Sequence, residues 1–273
     1  KKAIVERMKQ RYKKQWFEEN GPLYRIEVSL LKDRATLTID TSGPGLHKRG
    51  YRDLVSEAPL KETMASALLL ISRWRPGREL IDPFCGSGTI TVEAAMMAAN
   101  MAPGAKRSFS AERWHQVPAS LWNRAREEAA DKVKLDEEIR IHGSDIDDGV
   151  LRLARHHAER AGVSKLIHFQ RRDFREISSK HKYGFIITNP PYGERIGELR
   201  EVERIYRDMG SVFKKFDTWS YYVLTSHPRF EALFGRKADK KRKLYNGRIQ
   251  CNYYQFFGPP PPKPAMEETD PSA

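Results

Sequence analysis

The sequence predicts an α/β fold in which a mainly parallel sheet ends in an antiparallel hairpin. Between residues 79 and 225, short apolar segments alternate with amphipathic helical segments, which is the pattern of βαβ units with right-handed crossovers. Further along the chain, Asn246-Gly247 separates two more strand-like runs, and this dipeptide is the strongest short signal for a hairpin.

The first 45 residues have a different pattern. Apolar residues recur at every fourth position from Ile4 to Trp16, which predicts a helix. Residues 24–30 and 35–39 alternate around a turn at 32–34, which predicts a hairpin with one apolar face. Because one helix and one hairpin cannot close a core, we expect this segment to pack on the main domain or to complete a domain that begins upstream. The turn-rich residues 41–45 form a linker.

The main domain contains a predicted helix at 60–74, and the stretch 103–135 is long enough to add an extra helix to one crossover. Strands are predicted at residues 79–82, 140–145, 166–170, 184–188 and 220–225, followed by a hairpin of 237–246 and 248–257. Residues 259–273 combine a proline run with polar residues, which predicts a disordered tail.

Composition narrows the class of protein. The 273 residues hold no apolar run of the roughly 18–20 residues that a membrane span needs, and their start does not resemble a signal peptide. Two cysteines are too few for a disulfide framework or a structural zinc site, and the eight histidines show no ligand spacing, so we expect no metal and a cytoplasmic location. Lys and Arg exceed Asp and Glu by 49 to 36, which favours a polyanionic partner over a merely solvated surface.

A glycine loop follows the first strand of the main domain. Asp82-Pro83-Phe84-Cys85-Gly86-Ser87-Gly88-Thr89 lacks both the G-K-[ST] ending of a phosphate-binding loop and the G-x-G-x-x-G pattern. An acid in place of a phosphate cradle favours a cationic or zwitterionic nucleotide-like ligand, although such a loop can also be purely structural. Within it, Cys85 is expected to pack as a small loop residue rather than to act as a nucleophile.

Acidic residues follow the next two strands. Asp145, followed by Ile146, is placed to accept the two hydroxyls of a ribose, whereas Asp147 is expected to cap the next helix. Asp173, beside the aromatic Phe174, can accept from an adenine amino group or can serve as another helix cap.

The sequence Asn189-Pro190-Pro191-Tyr192 ends an apolar strand. Two prolines cannot continue a ladder, because each lacks an N–H group and fixes φ near −65°. The residues just beyond a buried strand of an open α/β sheet are where ligands bind.

The motifs DPFCGSGT, GSDID, RDF and NPPYGER, in this order, resemble class I S-adenosylmethionine-dependent methyltransferases of the amino-methylating N/D-P-P-Y branch. GLHKRGYR and APLKETMASALL further resemble bacterial RNA methyltransferases that carry a THUMP domain before the catalytic domain, for which an older label is N6-adenine-specific DNA methylase. The resemblance covers residues 1–258. It implies the end of a THUMP-like α+β domain plus linker at 1–45 and a Rossmann-like, seven-stranded catalytic domain at 46–258.

This resemblance implies S-adenosylmethionine as cofactor, held by Asp82 to Gly86, Gly88, Thr89, Asp145, Ile146, Asp173, Phe174 and Asn189. It implies methyl transfer to the exocyclic N2 amine of a guanine in 23S ribosomal RNA. Asn189 Oδ1 and the Pro190 carbonyl would accept the amine protons, and Tyr192 would stack on the flipped base. Pro190 and Pro191 would fix the loop in advance, and no metal would be required.

Two basic tracts are predicted to contact RNA phosphates, with a solvated surface as the alternative. They comprise His47, Lys48, Arg49, Tyr51 and Arg52 before the glycine loop, and Lys240, Lys241, Arg242 and Lys243 in the last hairpin. Arg195 can reach substrate or pair with Glu194. Three other functions stay open: N6-adenine methylation of DNA or RNA, a non-catalytic RNA-binding or ribosome assembly factor, and glutamine methylation of a protein.

Overall fold

The computed structural model describes residues 1–54, 60–135, 138–192 and 199–262. Its helices are α1 (Lys2–Tyr12), α2 (Glu62–Ser72), α3 (Thr89–Ala98), α4 (Ala119–Ala130), α5 (Asp148–Ala161), α6 (Leu199–Phe213) and α7 (Phe230–Phe234). Its strands are β1 (Arg25–Leu31), β2 (Arg34–Asp40), β3 (Leu80–Asp82), β4 (Ile141–Asp145), β5 (Ile167–Arg171), β6 (Phe185–Thr188), β7 (Ser220–Thr225), β8 (Lys240–Asn246) and β9 (Ile249–Phe256). The chain divides into two compact units, 1–45 with 108–126, and 46–107 with 127–273.

The first unit contains α1 and the β1–β2 hairpin. Lys32 and Asp33 both have positive φ, 48° and 59°, as a two-residue type I′ turn requires, so Arg34 begins β2 rather than lying in the turn. The observed helix α1 ends earlier than the apolar pattern predicts, because Lys13 adopts a left-handed conformation. Trp16 therefore lies beyond α1.

The apolar face of this hairpin is formed by cross-strand pairs such as Val28 with Leu37. These two side chains are 64% and 68% exposed, so the hairpin leaves this apolar face open, and what covers it stays a prediction. Residues 108–126, which the sequence assigns to the main domain, group instead with this unit, and the rings of Tyr24 and Trp114 stack at 4.6 Å. The extra helix expected within 103–135 is α4.

The second unit is built on a seven-stranded sheet of order β5-β4-β3-β6-β7-β9-β8. Strands β5, β4, β3, β6 and β7 are parallel, whereas β9 is antiparallel to β7 and β8. The predicted α/β class and the C-terminal hairpin are confirmed, and each parallel strand lies within one residue of its predicted bounds. The hairpin turn lies one residue later than predicted, at Gly247-Arg248, because Asn246 still pairs with Ile249 in the ladder and Gly247, with φ of 64°, takes the first turn position.

Alternating side chains of the sheet support apolar clusters on its two faces. Leu80 of β3 packs in the cluster that includes α2, α3 and α5 residues, while its neighbour Ile81 packs in the cluster of α6 and α7 residues. Among the described residues, no helix combines the length and apolar character that crossing a membrane requires. Most of the predicted disordered tail, residues 263–273, lies outside the described residues.

Candidate active site

The site residues meet where the strand order of the sheet reverses. β3 is flanked by β4 on one side and β6 on the other, and all three strands run parallel. Their carboxyl ends therefore bring the glycine loop after β3, Asp145 at the end of β4 and Asn189 after β6 to one edge. Open α/β sheets bind ligands at such a switch point.

The glycine loop turns directly from β3 into α3. The Gly88 N–H donates to the Cys85 carbonyl at 2.8 Å, and both Gly86 and Gly88 have positive φ, 51° and 80°. A Cβ at Gly88 would lie 3.0 Å from the Ala154 Cβ, whereas a Cβ at Gly86 would meet nothing within 4 Å. Gly88 is thus required for packing, while Gly86 lines open space beside the helix start.

Asp145 is fixed against this loop. Its Oδ2 accepts from the Gly86 N–H at 3.0 Å and its Oδ1 accepts from the Asp147 N–H at 3.1 Å, while burial raises the pKa of the carboxyl. Ile146 presents a 65% exposed apolar side chain beside it. Asp147 caps α5 by accepting from the Gly149 N–H at 2.7 Å, as the sequence predicts.

Asp173 takes the capping role that the sequence left open as an alternative. It accepts from the Arg175 N–H at 2.8 Å and pairs with the Arg175 guanidinium at 2.9 Å. The neighbouring Phe174 is buried, with its ring centroid 4.8 Å from that of Phe84. The two loops that were predicted to hold the cofactor are therefore joined by an aromatic contact.

Asp82 connects the glycine loop to the strand that carries Asn189. Its Oδ1 accepts from the Thr188 hydroxyl at 2.6 Å and from the Phe84 N–H at 3.2 Å. The carboxyl is only 1% exposed, and burial raises its pKa to about 7. This bridge was not visible in the sequence, which assigned Asp82, together with the equally buried Pro83, to the cofactor alone.

Asn189 and Tyr192 contact each other. The Tyr192 hydroxyl donates to Asn189 Oδ1, and its ring packs against the cluster on the α2 face. Burial, followed by the neighbouring Cys251 thiol, raises the Tyr192 pKa. Pro190 is buried and Pro191 is exposed. The amide oxygen that the sequence assigns to a substrate amine is thus paired with the hydroxyl of the residue assigned to stack on the base.

Cys85 is 6% exposed, and burial, with Asp82 and Asp145 nearby, raises its pKa well above the usual range. A thiol kept protonated is a poor nucleophile, which supports the loop-packing interpretation. In the described part of the chain, no three His, Cys, Asp or Glu side chains are arranged to hold a metal ion.

The first basic tract is mostly interior. Arg49 pairs with Glu93 at 3.4 Å, and the Tyr51 hydroxyl donates to the same carboxylate at 3.1 Å, with Tyr51 only 1% exposed. Arg52 pairs with Glu62 at 3.5 Å and donates to Thr89 Oγ1. This burial corrects the prediction that Arg49, Tyr51 and Arg52 reach RNA; they brace the start of α3 instead.

Of the same tract, Lys48 is exposed and His47 is half-buried. The second tract is exposed as predicted, in Lys240, Lys241, Arg242 and Lys243 of β8, with Lys241 paired to Glu231 at 2.8 Å. Arg195 lies outside the described residues.

Sequence reasoning missed some buried polar partners. Glu62 and Glu93 interrupt otherwise apolar helical segments, and this is the signal that could have located the partners of Arg49 and Arg52. His157, whose pairing with His156 suggests a solvated helix face, is fully buried instead, and its Nδ1 lies 3.0 Å from the Ser87 carbonyl oxygen.

These residues fit a nucleotide-like cofactor with a cationic centre. The open space at Gly86, the start of α3, where Gly88 gives no side-chain cap to the first N–H groups, and the acid at the end of β4 are the elements that such a ligand needs. Asp145 and Ile146 would hold its ribose side, and the loop from Phe84 to Gly88 would lie along its length.

Comparison with known proteins identifies the family. The RMKL-like methyltransferase domain model (UPF0020) matches residues 49–255, and the THUMP domain model matches residues 1–40. The chain belongs to this methyltransferase family. The predicted THUMP segment and S-adenosylmethionine as the cofactor of the methyltransferase domain are confirmed.

Relatives of this methyltransferase include YpsC of Bacillus subtilis, provisionally named an RNA methyltransferase, which is 49% identical over 94% of this chain and 67% of its own length. The ribosomal RNA large subunit methyltransferase K/L of Shewanella baltica is 41% identical over 84% of this chain. The match spans 33% of that protein, about a third of its length.

Solved structures agree with this fold. A possible methylase from Clostridium difficile 630 aligns with a TM-score of 0.91 at 45% identity, over 96% of this chain and 70% of that chain. SMU.472, assigned as a methyltransferase and crystallised with SAH, aligns with a TM-score of 0.89 at 42% identity, over 96% of this chain and 69% of that chain.

Proposed function

We propose that this methyltransferase transfers a methyl group from S-adenosylmethionine to the exocyclic N2 amine of a guanine in 23S ribosomal RNA. The observation that carries the proposal is the placement of Asn189 and Pro190 directly beside the glycine loop, across the β3–β6 pair. Each residue carries one carbonyl-type oxygen that can accept from an amine, and at Asn189 the amine would replace the Tyr192 hydroxyl.

The acceptors matter because the lone pair of a base amine is delocalised into the ring, which makes the amine a poor nucleophile. If Asn189 Oδ1 and the Pro190 carbonyl accept hydrogen bonds from its two N–H groups, the nitrogen moves toward tetrahedral geometry and its lone pair is freed. The one proton that methylation releases from the nitrogen passes to solvent. The cofactor supplies an electrophilic methyl group when bound. The remaining task of the chain is positioning, which can supply a large part of a rate enhancement.

Base entry requires the Tyr192 hydroxyl to leave Asn189 Oδ1, because both the hydroxyl and the amine need the same acceptor. The ring is then free to stack on the base, a contact worth about 1–3 kcal/mol. The exchange of one donor for another at Asn189 keeps its amide oxygen paired throughout.

RNA as the substrate is supported by the formal charge of +13, the THUMP match and the exposed cations of β8. The names of the K/L relatives point to large-subunit ribosomal RNA. Two proton acceptors favour an exocyclic amine over guanine N7, because N7 of a paired or free guanine has no proton to donate. Cytoplasmic location stays a prediction.

The test is nucleoside analysis of the product. The chain is incubated with tritiated S-adenosylmethionine and 23S ribosomal RNA from a strain that lacks the gene, and the RNA is digested and chromatographed. Label in N2-methylguanosine supports the proposal. Label in N7-methylguanosine or N6-methyladenosine would show that the protein methylates that position instead. No incorporation despite tight cofactor binding would favour an assembly factor.

A further inference from the structure

The backbone of the Asn189–Tyr192 loop has few ways to be held. Pro190 and Pro191 have no N–H to donate, so at these two positions the backbone can be anchored only through its carbonyl groups. One of these carbonyls has a donor in the protein interior. The Tyr206 hydroxyl of α6 donates to the Pro191 carbonyl oxygen at 2.8 Å.

The Tyr206 hydroxyl belongs to a short hydrogen-bonded series. Its oxygen lies 2.8 Å from Thr225 Oγ1 at the end of β7, and Thr225 Oγ1 accepts from the His227 N–H at 3.0 Å. Each hydroxyl carries one proton. Because the Tyr206 proton goes to the Pro191 carbonyl, Thr225 must donate to Tyr206, which gives the whole series a single direction.

This series lies in the protein interior. Tyr206 and Thr225 are both fully buried, and edge contacts from Phe230 and His227, at 5.0 Å and 5.5 Å between centroids, fix the Tyr206 ring. Burial also raises the pKa of Tyr206, so its hydroxyl keeps the proton that it donates. A buried anchor thus holds a carbonyl of an exposed proline.

We propose that Tyr206, supported by Thr225, is a positioning residue for methyl transfer. By fixing the Pro191 carbonyl, it holds the preceding peptide so that the Pro190 carbonyl and the Asn189 amide stay aimed at the substrate amine. Tyr206 touches no reacting atom and acts only through the loop. The inference rests on the proposed role of Asn189 and Pro190 but not on which base is methylated.

The test compares Tyr206→Phe with Tyr221→Phe. The Tyr221 hydroxyl is also buried and donates to a backbone carbonyl, that of Phe213 at 2.6 Å, but this carbonyl lies in α6 and away from the loop. Each variant loses one buried hydroxyl and keeps its ring. We therefore expect Tm losses of similar size, about 2–4 °C.

Their kinetics should differ. Tyr206→Phe should lower kcat by about 10- to 100-fold with unchanged RNA KM and cofactor Kd, since small misplacements of reacting groups are costly. Tyr221→Phe should keep the wild-type kcat. Thr225→Val should lower kcat in the same direction, and Thr225→Ser, which keeps the hydroxyl, should restore it. Equal kcat in Tyr206→Phe and Tyr221→Phe would overturn the inference.

A second measurement does not depend on activity. Hydrogen exchange of the segment 185–192 should be faster in Tyr206→Phe than in Tyr221→Phe, and equal exchange would also overturn the inference. The base that the wild-type protein labels tests the proposed function separately. The ratios of kcat between the variants do not depend on which base is methylated. A wild-type protein that labels no RNA would refute the proposed function while the exchange experiment still decides the role of Tyr206.

Discussion

Alanine substitutions at Gly86 and Gly88 can separate an effect on the free energy of unfolding from an effect on cofactor affinity. Both lie in the loop before α3 with positive φ, 51° and 80°. Alanine at either position therefore lowers the free energy of unfolding by about 1–2 kcal/mol, because it must adopt the left-handed conformation. About 0.4–1 kcal/mol is regained, because alanine restricts the unfolded chain. The net cost common to both substitutions is about 1 kcal/mol.

The two positions differ in what the added methyl group meets. At Gly88 it would lie 3.0 Å from the Ala154 Cβ and 3.2 Å from the Phe169 ring, and such overpacking adds about 1–3 kcal/mol. At Gly86 it would meet nothing within 4 Å. We expect Gly88→Ala to lose about 2–4 kcal/mol of unfolding free energy and Gly86→Ala about 1 kcal/mol.

Cofactor binding should show the reverse order. The space beside Gly86 is where we place the cofactor, so Gly86→Ala should weaken S-adenosylmethionine binding by at least about tenfold while the protein stays folded. Urea unfolding and isothermal titration calorimetry of both variants measure the two quantities. Unchanged cofactor affinity in folded Gly86→Ala, or equal stability losses in the two variants, would refute this assignment of the loop.

Three further predictions concern charged side chains. Asp145→Ala should raise the cofactor Kd by about tenfold, equal to about 1.4 kcal/mol, whereas Asp147→Ala should lose about 1 kcal/mol of stability by removing the α5 cap and leave the Kd unchanged in calorimetry. The pKa of Asp82 is raised from 3.8 to about 7, so the folded state binds the extra proton between these values and stability should fall as pH rises from 4 to 7. The fall is at most about 4 kcal/mol, at about 1.4 kcal/mol for each pKa unit, and Asp82→Asn should flatten this part of the pH profile; a profile identical to the wild type would contradict the assignment. RNA affinity should fall steeply with salt, and Lys240→Glu with Arg242→Glu should reduce the slope of log K against log salt by about 1–2, whereas an unchanged slope would leave β8 as a solvated surface.

The sheet and its ligand edge could be predicted because local patterns determine them. The strand at Phe185–Thr188 is a short apolar run stopped by Pro190, and the Asn246-Gly247 dipeptide predicted the last hairpin to within one residue of its turn, which is Gly247-Arg248. Parallel strands then place their carboxyl ends, and the acids that follow them, at one edge. This is why Asp145 and Asn189 could be assigned to one site from the sequence alone.

Contacts between distant positions could not be predicted in this way. Arg49 and Arg52 have the composition of a surface tract, but Glu93 and Glu62, which neutralise them, lie elsewhere in the chain and become neighbours only when α2 and α3 pack. The hydrogen bond from the Tyr206 hydroxyl to the Asn189 loop could not be predicted either, because the spacing between the loop and Tyr206 in the sequence follows no pattern that indicates a contact. Periodicity also does not mark where a helix ends.

Activation of a base amine by Asn189 beside the cofactor site is tested most directly by single-turnover methyl transfer with Asn189→Ala, with the cofactor Kd determined on the same preparation. The lost acceptor matters mainly in the transition state. We expect the transfer rate to fall by at least about 100-fold while the cofactor Kd stays within about twofold of wild type. A transfer rate close to wild type, or a loss of activity explained entirely by weaker cofactor binding, would contradict it.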